Sequence, residues 1–427
     1  MNTKKLTTLL IGLLLLAVCA WLGGSIYMGR VTTAAFKKAI AETPRQNALR
    51  FVNLQHQQGL FASSGQLEVR FNDLGASPAT GTQPVALQLE YRMMNLLLPA
   101  SSMRFEWHLR PTGDAGVELN RLFGSELQLS GAGSVGYGGL TRSSIAMPEL
   151  VLREGTDKLQ ISPSSGSVAW DRSSLAFAWN TARISIRGDG NALDVQNLSL
   201  DAQITNLLRG TGTVRLGVDK YSTSRGVAQG FAVQATVAEE GDRAAIVVIP
   251  SLASLDVAGH KLRNIGLELS VRGLDQASID TLSAVGQDSE DFRNLTADER
   301  ARASAAARKL LDRGFSITVS KLAAEIGEGS LAGDMQIEVK KSDSQTPEPF
   351  SIAKRVVANG KLTSNGKVID GLQRRLLVML GLATESPEGL RAGFEFDAGK
   401  LKANGRDYDL TSELGLLDDQ INAGLTP

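Results

Sequence analysis

Alternation of apolar and polar residues, repeated along most of the chain, is the feature that most restricts the fold. From about Leu54 onward, runs such as SGQLEVRF (64–71), SMRFEWHLR (102–110) and ARISIRG (182–188) place an apolar side chain at every second position. Gly, Asn, Asp or Ser residues bound these runs. A period of two residues with one apolar face is typical of antiparallel strands that pack on one side.

The bulk composition agrees with a β-rich fold. The chain has 427 residues, of which 44 are Gly and 5% are aromatic, and a glycine-rich, turn-rich chain of this size is more often β than α. We predict a mainly β (α+β) fold. It comprises an extended antiparallel β-sheet or sandwich-like domain with a helical insert, preceded by an N-terminal transmembrane helix.

Changes in pattern divide the chain into five segments. The predicted segments are a membrane anchor or signal segment (1–30), a juxtamembrane helix or linker (31–53), a β-rich domain (54–273), a helical insert (274–314) and a second β-rich part with one helix (315–427). In the insert, Thr296 and Glu299 have the spacing of a capping box, and Gly314 can end the helix.

Short turn signals refine the C-terminal part. The sequence predicts a hairpin at GEGS (327–330) and a helix from Val368 to Leu380. Asn-Gly pairs at 365–366 and 404–405 lie in two similar stretches, GKLTSNGK and GKLKANGR. Asn-Gly is the strongest short signal for a two-residue hairpin turn, because both positions need positive φ. We therefore predict a hairpin at each pair.

The N-terminus has the pattern of a membrane segment. Lys4 and Lys5 precede an uncharged stretch from Leu6 to Gly29, which as a helix is about 36 Å long at about 1.5 Å per residue. A bilayer has a hydrocarbon core of about 30 Å. The stretch is therefore long enough to span a membrane.

Three interpretations of this stretch remain open. It is an uncleaved single-span anchor, a cleaved signal peptide with Ala20 before the cleavage site, or a lipoprotein signal ending at Cys19. Its length favours the anchor. Cys19 is also the only cysteine in the chain, and a thiol-free remainder suits an oxidising bacterial periplasm. We therefore predict a single-pass protein of the bacterial inner membrane, with most of the chain in the periplasm.

Several chemistries are disfavoured by the sequence. The 45 basic and 45 acidic residues balance, which gives no electrostatic signature of nucleic-acid binding. The three histidines, His56, His108 and His260, have no partner at metal-ligand spacing. The GAGSVG run (131–136) is not followed by a helix start, as a dinucleotide site requires, and SIAK (351–354) lacks the companion motifs of penicillin-recognising enzymes. We predict no cofactor, no metal and no catalytic residue.

A resemblance adds to this pattern. Tyr27-Met28-Gly29 is followed by a helical stretch and then QGLFASSGQLEVRF (58–71), and this order resembles the YdgA-type bacterial envelope proteins, a family of unknown function. Gln58 stands where the family has arginine. The resemblance implies a structural motif formed by Tyr27, Gly29, Gly59, Phe61, Ser63 and Ser64. In this motif Gly59 bends the chain into the first strand and Phe61 packs, while His56 is a bystander or a cap.

The expected function follows from these observations. We predict non-catalytic binding or scaffolding in the cell envelope. The first alternative is a carrier or chaperone of lipid or another hydrophobic ligand, and the second is a periplasmic hydrolase. Expected partners are the membrane, through Leu6 to Gly29, and either a lipid or an envelope protein.

Overall fold

The fold is mainly β, and its strand pairings are antiparallel. The computed structural model describes residues 49–59, 61–71, 85–94, 101–113, 116–117, 128–188, 191–207, 209–288, 295–343, 348–366, 368–369 and 371–425. The chain divides into two compact units, Met1–Ala192 and Leu193–Pro427. The predicted fold class, a β-rich antiparallel protein with few helices, is confirmed for the described residues.

The first unit is an antiparallel sheet in which β1 to β6 pair in sequence order, β6 pairs with β9, and β10 pairs with both β8 and β9. Its strands are β1 (Leu49–Gln58), β2 (Ala62–Phe71), β3 (Val85–Met94), β4 (Met103–Thr112), β5 (Leu129–Val135), β6 (Thr141–Met147), β7 (Leu150–Glu154), β8 (Asp157–Ile161), β9 (Ser164–Trp170) and β10 (Leu175–Gly188). β6 and β7 are two successive segments of one long strand, and β8 and β9 are two successive segments of the strand beside it. This follows because β6 pairs with β9 and β7 pairs with β8. The interruptions contain Pro148 and Pro163, which cannot donate a ladder hydrogen bond.

Aromatic and methionine side chains form the core of the first unit. Tyr91, Met93 and Met103 are buried together, and partly buried neighbours surround them: Leu54, Leu89, Phe105, Trp107 and Val135. Gly131 and Gly133 lie on β5, where an added Cβ would be 2.6 Å from the Trp107 ring and 2.5 Å from the Phe105 ring. The first two glycines of GAGSVG therefore make room for aromatic rings.

The second unit is also built mainly from neighbouring antiparallel strands, which are longer than those of the first unit. Its strands are β11 (Asn191–Asn206), β12 (Thr211–Thr223), β13 (Gly226–Glu240), β14 (Arg243–Val257), β15 (His260–Asp275), β16 (Phe315–Ile326), β17 (Gly329–Val339), β18 (Val356–Asn365), β19 (Thr384–Ser386), β20 (Gly389–Asp397), β21 (Lys400–Ala403) and β22 (Arg406–Asp409). Its helices are α1 (Gln276–Asp288), α2 (Ala297–Arg313), α3 (Ile352–Arg355), α4 (Gly371–Met379) and α5 (Thr411–Gly424). β18 and β20 pair directly, so the stretch carrying α4 and β19 is inserted between two neighbouring strands.

Helices α1 and α2 form the predicted insert and are fixed to the sheet by a buried carboxylate. Asp275 is 1% exposed and accepts hydrogen bonds from the Ser278 amide at 2.9 Å and the Ser278 hydroxyl at 2.6 Å. Lys309 Nζ lies 3.2 Å away, and Arg313 bonds both Asp275 and Asp242. One carboxylate thus caps the first turn of α1 and ties α2 to the β14–β15 end of the sheet.

The predicted helix signals in the insert are confirmed. The Thr296 hydroxyl accepts from the Glu299 amide, the Glu299 carboxylate accepts from the Thr296 amide at 2.8 Å, and Gly314 ends α2 with a φ of 70°. The hairpin at GEGS is also confirmed, because Gly327 and Glu328 join β16 to β17.

The two Asn-Gly pairs have different outcomes. Asn404 and Gly405 form the turn between β21 and β22, with φ of 48° and 84°, so that prediction is confirmed. The hairpin predicted at Asn365-Gly366 is wrong, since the chain leaves β18 there toward α4. The Asn365 side chain instead accepts from the Ser330 amide at 2.6 Å, because the end of β18 lies beside the start of β17.

Two predicted boundaries also differ from the structure. The helix predicted from Val368 to Leu380 spans Gly371–Met379, and β-structure begins at Leu49, so residues 49–53 belong to a strand. The predicted membrane segment and the start of the juxtamembrane helix lie outside the described residues. Within the described ranges no helix combines the length and the apolar character needed to cross a membrane.

Candidate functional site: an apolar sheet face

The motif predicted from the family resemblance lies at the β1–β2 turn. The Gly59 amide donates to the Ala62 carbonyl at 2.8 Å, and an added Cβ on Gly59 would lie 2.6 Å from that oxygen, so glycine is required for this close turn. Ser63 is 1% exposed, whereas Ser64 is exposed. Phe61 is 38% exposed, and its packing role stays a prediction. Tyr27 and Gly29 lie outside the described residues.

His56 has a structural partner in the same region. Its Nδ1 lies 2.9 Å from the Tyr91 hydroxyl, and the two rings stack at 6.0 Å between centroids. Both flank Gly65, where a Cβ would lie 2.3 Å from the Tyr91 oxygen. Burial raises the pKa of Tyr91 above its ordinary value. The pair therefore fills the space over a glycine in the sheet.

The other residues weighed in the sequence are not brought together. His108 is exposed and lies 2.9 Å from the Gln128 amide nitrogen. His260 is the first residue of β15 and belongs to the second unit, whereas His56 and His108 belong to the first. Within the described ranges no group of three or more His, Cys, Asp or Glu side chains could hold a metal ion.

The second unit carries a continuous apolar surface that the sequence pattern alone does not locate. Cross-strand partners in an antiparallel sheet share a face, so the register can be followed from strand to strand. The first apolar row runs from β11 to β21 through Ala202, Val214, Ala235, Val248, Leu269, Val319, Met335, Gly360, Phe394 and Ala403. It contains no polar side chain.

A second apolar row runs beside the first, two residues away on each strand and so on the same face. It crosses β11 to β18 and β20 to β22 through Ile204, Gly212, Val237, Ile246, Val271, Ile317, Ile337, Ala358, Phe396, Leu401 and Tyr408. Eleven strands at about 4.8 Å spacing give the row a length on the order of 50 Å along the sheet. We call the two rows together the apolar sheet face.

The residues between these rows point to the opposite side and are almost all polar. This polar row consists of Gln203, Thr213, Thr236, Val247, Ser270, Thr318, Gln336, Asn359, Glu395, Lys402 and Asp407. Val247 is its single apolar member. Across these rows the sheet therefore has an apolar side and a polar side, apart from Val247 and from Arg406, which pairs with Ala403 and ends the first apolar row on β22.

The apolar sheet face is partly exposed. Of its 21 residues only Phe396 is buried, Val214 and Tyr408 are exposed, and the others are intermediate. The side chains of such a face are normally buried when a second layer packs on them. Other buried apolar side chains of the second unit are Ala244, Ala245, Leu274, Val285, Ala306, Val339, Phe350, Ala383 and Leu390. Of these, Val339 and Leu390 continue the same face on β17 and β20, beyond the two rows. The described residues therefore leave a partly exposed apolar surface, whose first row ends at the charged Arg406 of β22.

Such a surface suits hydrocarbon better than a polar substrate. It offers about 25 cal/mol for each Å² of apolar area removed from water, and neither row supplies a nucleophile, a general base or a metal ligand. A long apolar ligand could lie across several strands, because no charged side chain interrupts the rows.

Comparison with known proteins identifies the family. Residues 3–411 match a family described as bacterial protein of unknown function (DUF945). No curated protein and no solved structure matches the chain significantly. The match covers nearly the whole chain, which therefore belongs to this family.

Proposed function

We propose that this DUF945 protein is a non-catalytic lipid-binding protein of the bacterial cell envelope that holds acyl chains on its apolar sheet face. The observation that carries the proposal is the pair of apolar rows, which cross ten and eleven strands and stay partly exposed. Proteins rarely leave a contiguous apolar patch of this extent in contact with water unless it binds something.

The proposed setting is the inner membrane, as the resemblance to YdgA-type envelope proteins implies. The uncharged stretch from Leu6 to Gly29 serves as a single-pass anchor, and most of the chain lies in the periplasm. An anchored protein meets lipid at high local concentration, and an apolar face can then shield acyl chains from water. Cys19 as the only cysteine is consistent with that compartment.

Photocrosslinking from two neighbouring positions tests the proposal. Val248 lies on the first apolar row between Ala235 and Leu269, and Val247 lies on the polar row between Thr236 and Ser270. Both are partly exposed valines of the same strand. A photoreactive amino acid is introduced at one position or the other in the full chain, and cells are irradiated. Adducts are then identified by mass spectrometry.

The two positions separate the possible outcomes. Lipid binding predicts phospholipid adducts from position 248 and few or none from position 247. Scaffolding, the other expectation from the sequence, predicts adducts with an envelope protein from position 248. Equal lipid labelling at both positions would attribute the adducts to general proximity of the membrane and would refute binding on this face.

A further inference from the structure

Helix α4 presents a second apolar surface, separate from the apolar sheet face. Its exposed side chains include Met379 at 69%, Leu380 at 58%, Leu382 at 56% and Leu376 at 44%. Large apolar residues are normally exposed singly, whereas these four lie within seven residues. The cluster therefore needs a physical explanation.

The exposed residues form one stripe along the helix. At 3.6 residues per turn, Met379, Leu376 and Leu380 occupy adjacent positions around the axis, and the Leu380 amide extends the helical pattern by donating to the Leu376 carbonyl at 2.9 Å. Arg375 and Gln373 flank this apolar stripe on either side, and both are exposed. Leu377 and Val378 are partly buried on the opposite side.

The helix is held to the sheet at its C-terminal end. The amides of Leu382 and Ala383 donate to the Leu377 carbonyl at 2.9 and 3.2 Å. The Asn404 side chain donates to the Gly381 carbonyl at 2.8 Å. These contacts fix which side of α4 faces outward, so the exposure of the stripe is built into the fold.

The local charge identifies the kind of partner. From Gly371 to Leu382 the sequence carries no acidic residue and two basic ones; Arg375 borders the stripe, whereas Arg374 lies toward the opposite side and pairs with Glu385 at 3.1 Å. The guanidinium of Arg406 provides a second positive charge at Gly381, where an added Cβ would lie 2.5 Å from it. An apolar stripe bordered by basic side chains is the arrangement of helices that lie in the interface of a membrane with anionic lipids. Helix α5 provides the contrast, because its exposed Leu416 lies among Glu413, Asp418 and Asp419.

The size of the stripe also favours a bilayer over a protein. Four Leu or Met side chains supply at most about 500 Å² of apolar area, below the roughly 800 Å² per partner of a standard protein interface. A hydrocarbon layer needs no complementary shape and accepts a small stripe. We infer that α4, with Leu380 and Leu382, inserts its apolar stripe into the surface of an anionic phospholipid bilayer.

A single fluorescent label on the full chain tests this inference. Cys19→Ser removes the native thiol, and Met379→Cys or Leu416→Cys introduces a site for an environment-sensitive dye. Met379 and Leu416 are similarly exposed, at 69% and 71%, so Leu416→Cys is the matched control. The labelled chain is reconstituted into vesicles of phosphatidylethanolamine and phosphatidylglycerol, and a nitroxide phospholipid serves as quencher, either in the same vesicles or in vesicles added later.

Insertion predicts that the nitroxide lipid quenches the dye at position 379 by about twofold or more and leaves the dye at position 416 unaffected. Arg375→Gln should weaken partitioning to added vesicles about fivefold, the effect of losing one basic side chain near an anionic surface. Vesicles of phosphatidylcholine alone should bind less well.

Three results would overturn the inference. The first is no quenching at position 379 by either vesicle population, and the second is equal quenching at positions 379 and 416. The third is a shielded dye at position 379 that the nitroxide lipid does not reach, which would indicate a protein partner. Because the crosslinks from Val248 report on the sheet face and not on α4, either proposal can fail without the other.

Discussion

We predict that the carboxylate of Asp275 stabilises the attachment of the helical insert to the sheet. The substitution Asp275→Asn measures how much stability its charge contributes. The carboxylate is 1% exposed, caps α1 through Ser278, and pairs with Lys309 and Arg313. Asparagine is a good N-cap, so this substitution keeps the cap and removes the charge. The variant therefore isolates the ion pairs from the helix cap.

The expected cost follows from the exposure of the partners. Removing one member of a fully buried ion pair costs about 3–5 kcal/mol. Lys309 and Arg313 are 53% and 31% exposed, so both can turn toward water and recover part of that loss. We expect the insert to become less stable by about 2–3 kcal/mol, which is roughly a 30- to 150-fold rise in local opening at about 1.4 kcal/mol per factor of ten.

Hydrogen exchange of the α1 and α2 amides is the appropriate assay, because it reports local opening in a chain with two units. Asp242→Asn is the matched control, since Asp242 also bonds Arg313 but is 70% exposed. An exposed pair contributes about 0–1 kcal/mol, so exchange should change little in this variant. Equal effects of the two substitutions, or no effect of either, would refute the role assigned to Asp275.

Two further predictions concern the effect of low pH on the helical insert and the effect of replacing a glycine in the first unit. Burial alone would raise the pKa of Asp275, but hydrogen bonds from Ser278, Arg313 and Lys309 outweigh it and hold the pKa well below its usual range. Because the pKa is lowered in the folded state, the stability of the insert falls as the pH drops below about 4. Hydrogen exchange in the insert should therefore accelerate below this pH in the native chain and much less in Asp275→Asn. Gly131→Val should destabilise the first unit by about 1–3 kcal/mol, because the new Cβ would lie 2.1 Å from the Ser144 carbonyl oxygen; thermal unfolding followed by tryptophan fluorescence checks this. Gly138→Val is the control, with nothing within 4 Å, and equal losses of thermal stability would contradict the packing argument.

Local patterns in the sequence account for the elements and for several of their ends. The two-residue period identifies strands because side chains alternate between faces, whatever the strand pairs with. The Thr296–Glu299 capping box and the turn at Asn404-Gly405 are equally local, since their hydrogen bonds and φ angles involve residues close in sequence. These features could therefore be predicted without a structure.

Features that depend on distant neighbours could not be predicted in this way. Asn365-Gly366 has the same local sequence as a hairpin turn, yet Ser330, 35 residues away, binds the Asn365 side chain and the chain leaves the sheet. The 38% exposure of Phe61 could not be predicted for the same reason, because exposure depends on what the fold places above a side chain. In α4 the helix itself was predicted, but its outward-facing stripe depends on the contacts of Leu377 and Gly381.

The apolar sheet face likewise combines a local feature that the sequence predicts with a feature that depends on distant neighbours. The sequence by itself determined that each strand has one apolar and one polar side, because alternation is a property of a single strand. Only the tertiary structure decided that these sides align through ten and eleven strands into two apolar rows, since a shift of one residue in any pairing would place polar side chains among the apolar ones. Strand register arises from contacts between segments distant in sequence, and these contacts turn a repeated pattern into a surface.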